Sequence, residues 1–124
     1  MATRTDITTG EQAVAAAGAI TGSLDTSALS GNYTVKLRVR GLSSGKVAVI
    51  AIEDTANASA FSEAVQVAVA HFTGGMTADG SAREWAQFEI PGTRFGVANS
   101  KLRANCLSIT GTPGTVLAYA WLEQ

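Results

Sequence analysis

The nine residues YTVKLRVRG, at positions 33–41, constrain the fold of this chain more than any other stretch. Apolar and polar side chains alternate along it, and successive side chains of a β-strand point to opposite faces of a sheet. The apolar set is Tyr33, Val35, Leu37 and Val39, and the residues between them are Thr34, Lys36, Arg38 and Arg40. The alternation predicts a strand with one face against a core. It also raises the question whether the opposite face, with three positive charges, binds a partner.

Five further segments have the composition of strands and are separated by residues typical of turns. They are KVAVIAIEDT (46–55), EAVQVAVAHF (63–72), REWAQFEI (83–90), KLRANCLSIT (101–110) and TVLAYAWLE (115–123). The run 47–52 is apolar on both faces, which predicts a central strand or one covered by a second layer. One or two more strands are expected in the first 30 residues. Short strands at even spacing predict an all-β, single-domain antiparallel β-sandwich or jelly roll.

The N-terminal residues 1–12, MATRTDITTGEQ, are polar and precede the first strong strand signal. We interpret them as an extended N-terminal arm, assign the sandwich to residues 13–124, and expect the fold to survive removal of residues 2–12. The stretch EQAVAAAGA, at 11–19, is ambiguous. Its alanines favour a helix, but the glycines in and after it favour an extended segment, which is the interpretation we prefer; a short helix is the alternative.

Composition and charge exclude several classes of function. The chain has 124 residues, a length suited to one domain, and a formal net charge of −1. This balance argues against nucleic acid and against an anionic membrane surface as partners. The N-terminus lacks the apolar core of a signal peptide, so we expect synthesis in the cytoplasm. Cys106 is the only cysteine, which excludes a disulfide or a cysteine-based metal cluster within one chain.

The residues that could carry chemistry do not form a recognisable catalytic pattern. His71 is the only histidine, and the chain has no G-x-S-x-G nucleophile elbow. Glu53 and Asp54 are adjacent, but neighbouring strand residues point to opposite faces, so we interpret the pair as a strand-end cap or turn. The stretch SSGK, at 43–46, lacks the rest of a phosphate-binding loop. We therefore predict a protein that is not an enzyme, with no cofactor and no metal site.

The C-terminal strand is apolar on both faces. Tyr119 and Trp121 lie on the face opposite Ala118 and Ala120. Two interpretations stay open: a central strand of the sandwich, or a strand whose second face meets a neighbouring subunit. Trp85, in REWAQF, raises the same question.

The basic stripe of Lys36, Arg38 and Arg40 also has two interpretations. It is either a solvated sheet face, with Glu84 or Glu89 on an adjacent strand, or a positive surface that docks on an acidic protein. Three charges on a net-negative domain are too few to indicate nucleic-acid binding.

From about residue 33 onward the layout resembles that of a known group of proteins. YTVKLRVRGLSSG leads into KVAVIAIEDTANASAF, and a strand closing on HFTGG is followed by REWAQFEIP. The final block combines a strand of the KLRANCLSITG type, a GTPG turn and a hydrophobic terminal strand. This arrangement is similar to small β-sandwich structural proteins of tailed bacteriophages, which are encoded with the head genes and often decorate the capsid. The resemblance covers about three quarters of the chain.

The resemblance implies a virion protein without catalysis, made in the cytoplasm of the bacterial host. Such decoration (cement) proteins lie on the outer surface of the capsid, commonly as homotrimers, bind the major capsid protein and stabilise the shell. An N-terminal arm often adds a strand to the shell. No family motif is sharp enough to transfer binding residues. The candidate protein-interface residues therefore come from the chain itself: Arg4, Asp6, Ile7, Lys36, Arg38, Arg40, Trp85, Tyr119 and Trp121.

Two alternatives to decoration remain. The chain could be another virion component, from the tail, neck or head fibre, which copy number per particle would distinguish. It could also be a carbohydrate-binding jelly-roll module, which would need exposed aromatic side chains on one sheet.

Overall fold

The computed structural model describes residues 4–42, 45–55, 65–73, 83–84, 88–90, 100–110 and 116–124. Within these ranges the chain contains no helix, and its strands form two antiparallel sheets, which confirms the predicted all-β sandwich class. The described strands are β1 (Arg4–Asp6), β2 (Gln12–Ala13), β3 (Gly18–Ala19), β4 (Leu24–Asp25), β5 (Tyr33–Arg40), β6 (Val47–Asp54), β7 (Val65–Thr73), β8 (Arg83–Glu84), β9 (Phe88–Ile90), β10 (Lys101–Ile109) and β11 (Leu117–Glu123).

The first sheet is built around β5 and β11, which pair along their full lengths. On its other side β11 pairs with β1 and then with β2, and β5 pairs with β8 and β9. The alternation predicted for residues 33–40 is confirmed, because the apolar residues of β5 are buried and the residues between them are half-buried or exposed. Since β11 has a strand on each side, the interpretation of the C-terminal segment as a central strand is also confirmed.

The second sheet has the order β3–β10–β6–β7, with β4 also paired to β10. The apolar run 47–52 predicts a central strand or one covered by a second layer, and β6 does lie between β10 and β7. The register shifts between Ile52 and Glu53 where β6 meets β7. Along β7 the side chains of Ala68, Ala70 and Phe72 are buried, and Val69 is only half-buried.

Both sheets contribute to one hydrophobic core. The largest contributions from the first sheet are Tyr33, Val35, Leu37, Val39 and Leu122, and those from the second are Ile50, Ile52, Phe72, Leu102 and Cys106. Small residues fill the remaining positions on both inner faces, which lets the two sheets pack closely. Cys106 is a small residue of this core and is 1% exposed. Its burial raises the pKa of the thiol.

The N-terminal segment belongs to the sandwich. Ile7 is 1% exposed, and the backbone N–H groups of Ile7 and Thr8 donate to the carbonyl oxygen of Ala120 at 2.9 and 3.2 Å. The Ala120 N–H in turn donates to the Thr8 hydroxyl at 3.1 Å. An extended arm over residues 1–12 is therefore not shown in the described residues. A buried isoleucine and a chain of backbone hydrogen bonds hold residues 4–14 along β11 instead.

The same segment also contacts the connection between β3 and β4. The Thr9 N–H, between β1 and β2, donates to the Thr21 carbonyl at 3.0 Å. Gly22 has a φ of 118°, and a Cβ at this position would lie 2.5 Å from the Thr9 nitrogen. Glycine is needed here because two backbone segments touch.

The extended interpretation of residues 11–19 is confirmed. The segment contains β2 and β3 and no helix, and Val14 is buried in the core. Four short strands lie in the first 25 residues, where one or two were expected. Strands of two or three residues are too short to produce a period in the sequence.

Candidate docking surface

The outer face of the first sheet brings together most of the predicted interface residues. Cross-strand pairing places Trp121 opposite Lys36 and Tyr119 opposite Arg38. On the other side of β11, Asp6 lies opposite Trp121. Residues directly opposite one another share a face of the sheet. We call this surface the arginine–aromatic face; its members are Arg4, Asp6, Glu11, Lys36, Arg38, Arg40, Tyr119, Trp121 and Glu123.

Two stacked aromatic rings lie at the centre of this face. The ring centroids of Tyr119 and Trp121 are 4.6 Å apart, with an interplanar angle of 30°. Although they point away from the core, Tyr119 is 8% exposed and Trp121 is 0% exposed. Buried aromatic rings on the outer face of a sheet need a cover, and the neighbouring strands supply it.

Two arginines cover the rings from opposite sides of β11. The guanidinium carbon of Arg4, on β1, lies 4.3 Å from the Trp121 ring centroid and 5.7 Å from that of Tyr119. The guanidinium carbon of Arg38, on β5, lies 5.3 Å from the Tyr119 centroid and 5.6 Å from that of Trp121. A cation over a ring face is attracted by the ring quadrupole. The alkyl part of each arginine also shields apolar surface from water.

The polar atoms of both rings are hydrogen-bonded. The Tyr119 hydroxyl donates to Asp6 Oδ1, and the Trp121 Nε1–H donates to Glu123 Oε2 at 3.1 Å. Burial, reinforced by the Asp6 carboxylate, raises the pKa of Tyr119. The hydrogen bond from Trp121, followed by that from Lys36, lowers the pKa of Glu123. Hydrogen bonds to carboxylates on the same face therefore fix the positions of both rings.

The three cations of the predicted basic stripe have different surroundings. Arg40 donates from Nε and Nη2 to the two carboxylate oxygens of Glu11, each at 2.8 Å. The Lys36 Nζ lies 3.2 Å from Glu123 Oε2. Arg38, between them, has no carboxylate partner among the described side chains, and its buried Nε has no hydrogen-bond acceptor. Among the described side chains, the stripe therefore consists of two paired cations on either side of Arg38, which has no carboxylate partner there.

The remaining interface candidates are dispersed. Ile7 is in the core, and Trp85 lies outside the described residues. The register places Glu84 opposite Arg38 and Glu89 opposite Thr34, so the prediction that these acids lie on an adjacent strand is confirmed for the backbone. The side chain of Glu84 is outside the described part of the structure.

Sequence patterns did not reveal the acidic partners of the stripe. Glu11 is 29 residues from Arg40 and belongs to a segment interpreted as an arm. Glu123 carries a weak signal, because its spacing of two residues from Trp121 puts both side chains on one face of β11.

The acidic pair Glu53–Asp54 lies inside β6, not in a cap or turn, and both residues are buried. Glu53 accepts from Arg103 Nε at 2.7 Å and from the Asn105 side-chain amide at 3.2 Å. These donors on β10 compensate for burying the carboxylate. The cluster therefore ties β6 to β10 on the outer face of the second sheet. His71 is exposed on β7.

Within the described ranges, no group of three or more His, Cys, Asp or Glu side chains could hold a metal ion. The same ranges contain no helix with the length and hydropathy to cross a bilayer. Comparison of the chain with protein-family models, with curated proteins and with solved structures gives no match, so its function has to be inferred from its residues and their geometry.

Proposed function

We propose that the chain is a structural protein of a tailed-bacteriophage virion, a capsid decoration protein that binds the major capsid protein and stabilises the shell as an oligomer. The main support for this proposal is the order of segments from residue 33 onward, which resembles that of phage decoration proteins, together with the two-sheet sandwich that this sequence forms. The long strands of the structure that fall in this part of the sequence are β5, β6, β7, β10 and β11. Both central strands of the first sheet belong to this set.

The physical properties of the sandwich suit such a role. A protein that binds the expanded shell better than its precursor stabilises the expanded form by mass action. Many copies with modest interfaces reinforce a shell collectively. Each copy then needs to be a rigid body. Backbone hydrogen bonds from the N-terminal segment to Ala120 and the hydrogen bond from Tyr119 to Asp6 connect the first strand to the centre of the sheet and so favour rigidity.

Shell binding is tested by co-sedimentation of the purified protein with expanded, undecorated capsids of the phage that encodes it. Unexpanded capsids serve as the matched control. We expect saturable binding of many copies per shell, with preference for the expanded form, and a rise in the temperature at which the shell disrupts. A small fixed number of copies would assign the protein to the tail, neck or head fibre. Absence of binding would remove it from the capsid.

The carbohydrate-binding alternative depends on exposed aromatic rings. Tyr119 and Trp121 are covered by Arg4 and Arg38, so neither offers a free ring face for stacking against a sugar. That alternative therefore rests on Trp85. Binding of the protein to a glycan array, abolished in a Trp85→Ala variant that remains folded, would favour it over decoration.

A further inference from the structure

Arg38, at the centre of the arginine–aromatic face, has no carboxylate partner among the described side chains. Arg40 and Lys36 are paired with Glu11 and Glu123. Arg38 lies between them on the same face of β5 and contacts the two aromatic rings. Its Nε is buried without an acceptor among the described residues. A buried donor without an acceptor is unfavourable, so a ligand that turned this guanidinium toward an acceptor would be favoured here.

A second guanidinium, that of Arg4, contacts the same two rings from the other side of β11. The guanidinium carbons of Arg4 and Arg38 lie 5.7 and 5.3 Å from the Tyr119 ring centroid. Arg4 is exposed and Arg38 is partly exposed, so an anion can approach the two from solvent. Guanidinium groups present N–H donors in a planar fork that matches the two oxygens of a carboxylate.

We infer that Arg38, assisted by Arg4, binds a carboxylate side chain on the surface of a partner protein. The arginine–aromatic face also carries Asp6, Glu11 and Glu123, which would repel a long polyanion such as a nucleic-acid backbone. One acidic side chain, placed over the ring pair, avoids that repulsion. In this arrangement the rings hold the two guanidiniums in position, and little side-chain entropy is lost on binding. The site deepens the proposed function, since it names the contact through which the protein would dock.

Arginine side-chain NMR can test this inference without any capsid. The Nε–Hε signals of the isotope-labelled protein are followed during titration with a short oligoglutamate peptide. We expect a saturable shift of the Arg38 signal, a smaller shift for Arg4, and weakening by added salt. The Arg40 signal should move little, because the Arg40 guanidinium already donates two hydrogen bonds to the Glu11 carboxylate. Absence of a saturable Arg38 shift would overturn the inference.

Matched variants separate a specific site from general electrostatic attraction. Arg38→Gln and Arg40→Gln remove the same charge from the same face of β5, two residues apart. We expect Arg38→Gln to weaken peptide binding about tenfold or more, and Arg40→Gln to change it by less than about twofold. Arg38→Lys keeps the charge and should still lose most of the affinity, because lysine lacks the planar fork. Melting temperatures verify that each variant is folded. Equal weakening by both glutamine variants would overturn the inference.

Two further titrations address competing explanations. The backbone register places Glu84 opposite Arg38, so a Glu84→Gln variant should bind the peptide at least as well as the wild type. Inorganic phosphate should shift Arg38 less than the peptide does at equal charge concentration. A phosphate response as large as that of the peptide would indicate a small-anion site and overturn the assignment to a protein partner. Because these titrations contain no capsid, their failure is distinguishable from failure of shell binding.

Discussion

Trp121→Ala is the change that most directly tests how the outer face of the first sheet is built. Trp121 is fully buried in a single chain, stacked on Tyr119 and covered by Arg4. A tryptophan side chain buries about 200 Å², and about 25 cal/mol per Å² gives roughly 5 kcal/mol. Residual burial in the unfolded chain reduces this to about 3–4.5 kcal/mol, and loss of the ring pair adds about 1 kcal/mol. We expect a destabilisation of about 4–5.5 kcal/mol, at the upper end of the usual Trp→Ala cost.

Thermal and denaturant unfolding measure this loss. For a chain of this length, about 3–5 °C per kcal/mol corresponds to a decrease in melting temperature of roughly 12–28 °C. Trp121→Phe is the matched control, because it keeps an aromatic ring on Tyr119 and removes only part of the indole, including the N–H bonded to Glu123. Its destabilisation should be less than half as large. The molar mass of the folded variants in solution should equal that of the wild type, since one chain already buries Trp121.

Two results would contradict this reasoning. A melting temperature within about 3 °C of the wild type would mean that Arg4 and Arg38 do not cover the rings in solution. A change of oligomer mass at unchanged melting temperature would mean that Trp121 contacts a second subunit.

Three other changes test separate parts of the structure. Gly22→Ala should destabilise the fold by more than about 2 kcal/mol, because its Cβ would meet backbone atoms at 2.5–2.9 Å. Gly18→Ala is the control, since Gly18 also has a positive φ but its Cβ would have nothing within 4 Å, and it should destabilise the fold less. Equal destabilisation of the two variants in urea unfolding would refute the close approach at Gly22. Deleting residues 2–6 should speed amide hydrogen exchange in β11 and lower the melting temperature, and unchanged exchange would restore the interpretation of a free arm. The raised pKa of Tyr119 means that the folded state holds the phenol proton more tightly than the unfolded state does, so this contribution to stability is complete below about pH 10 and is lost as the pH rises through the folded pKa. The wild type should therefore lose more unfolding free energy than Tyr119→Phe between about pH 9.5 and 11.5. Parallel plots of stability against pH for the two proteins would contradict this.

The candidate site was only partly predictable from the sequence. Alternation places Lys36, Arg38 and Arg40 on one face, and Tyr119 and Trp121 on one face of another strand, because side-chain direction in a strand depends only on position parity. The sequence does not show that the two sets share a surface. The two sets share a surface because β5 pairs with β11. This pairing places aromatic rings and carboxylates beside the cations, which the sequence shows only as a basic stripe.

The N-terminal segment shows more clearly which features sequence patterns do not predict. Its polar composition predicts an exposed arm, yet Asp6 accepts a hydrogen bond from Tyr119, 113 residues away in the chain. Ile7 is one apolar residue in a polar stretch, and one residue produces no periodic signal. Strands of two or three residues form only because longer neighbours offer them a free edge, which is a property of the assembled sheet.

Residue order alone determined the strand class of the long segments and the face of β5 that enters the core, and it indicated that residues 47–52 and the C-terminal strand are apolar on both faces. These properties are local, because they follow from the period of two and from apolar runs on both faces. The tertiary structure alone decided which cations are neutralised, why an outward-facing tryptophan is buried, and where the first 25 residues lie. These depend on contacts between distant parts of the chain, which form only when the two sheets are assembled.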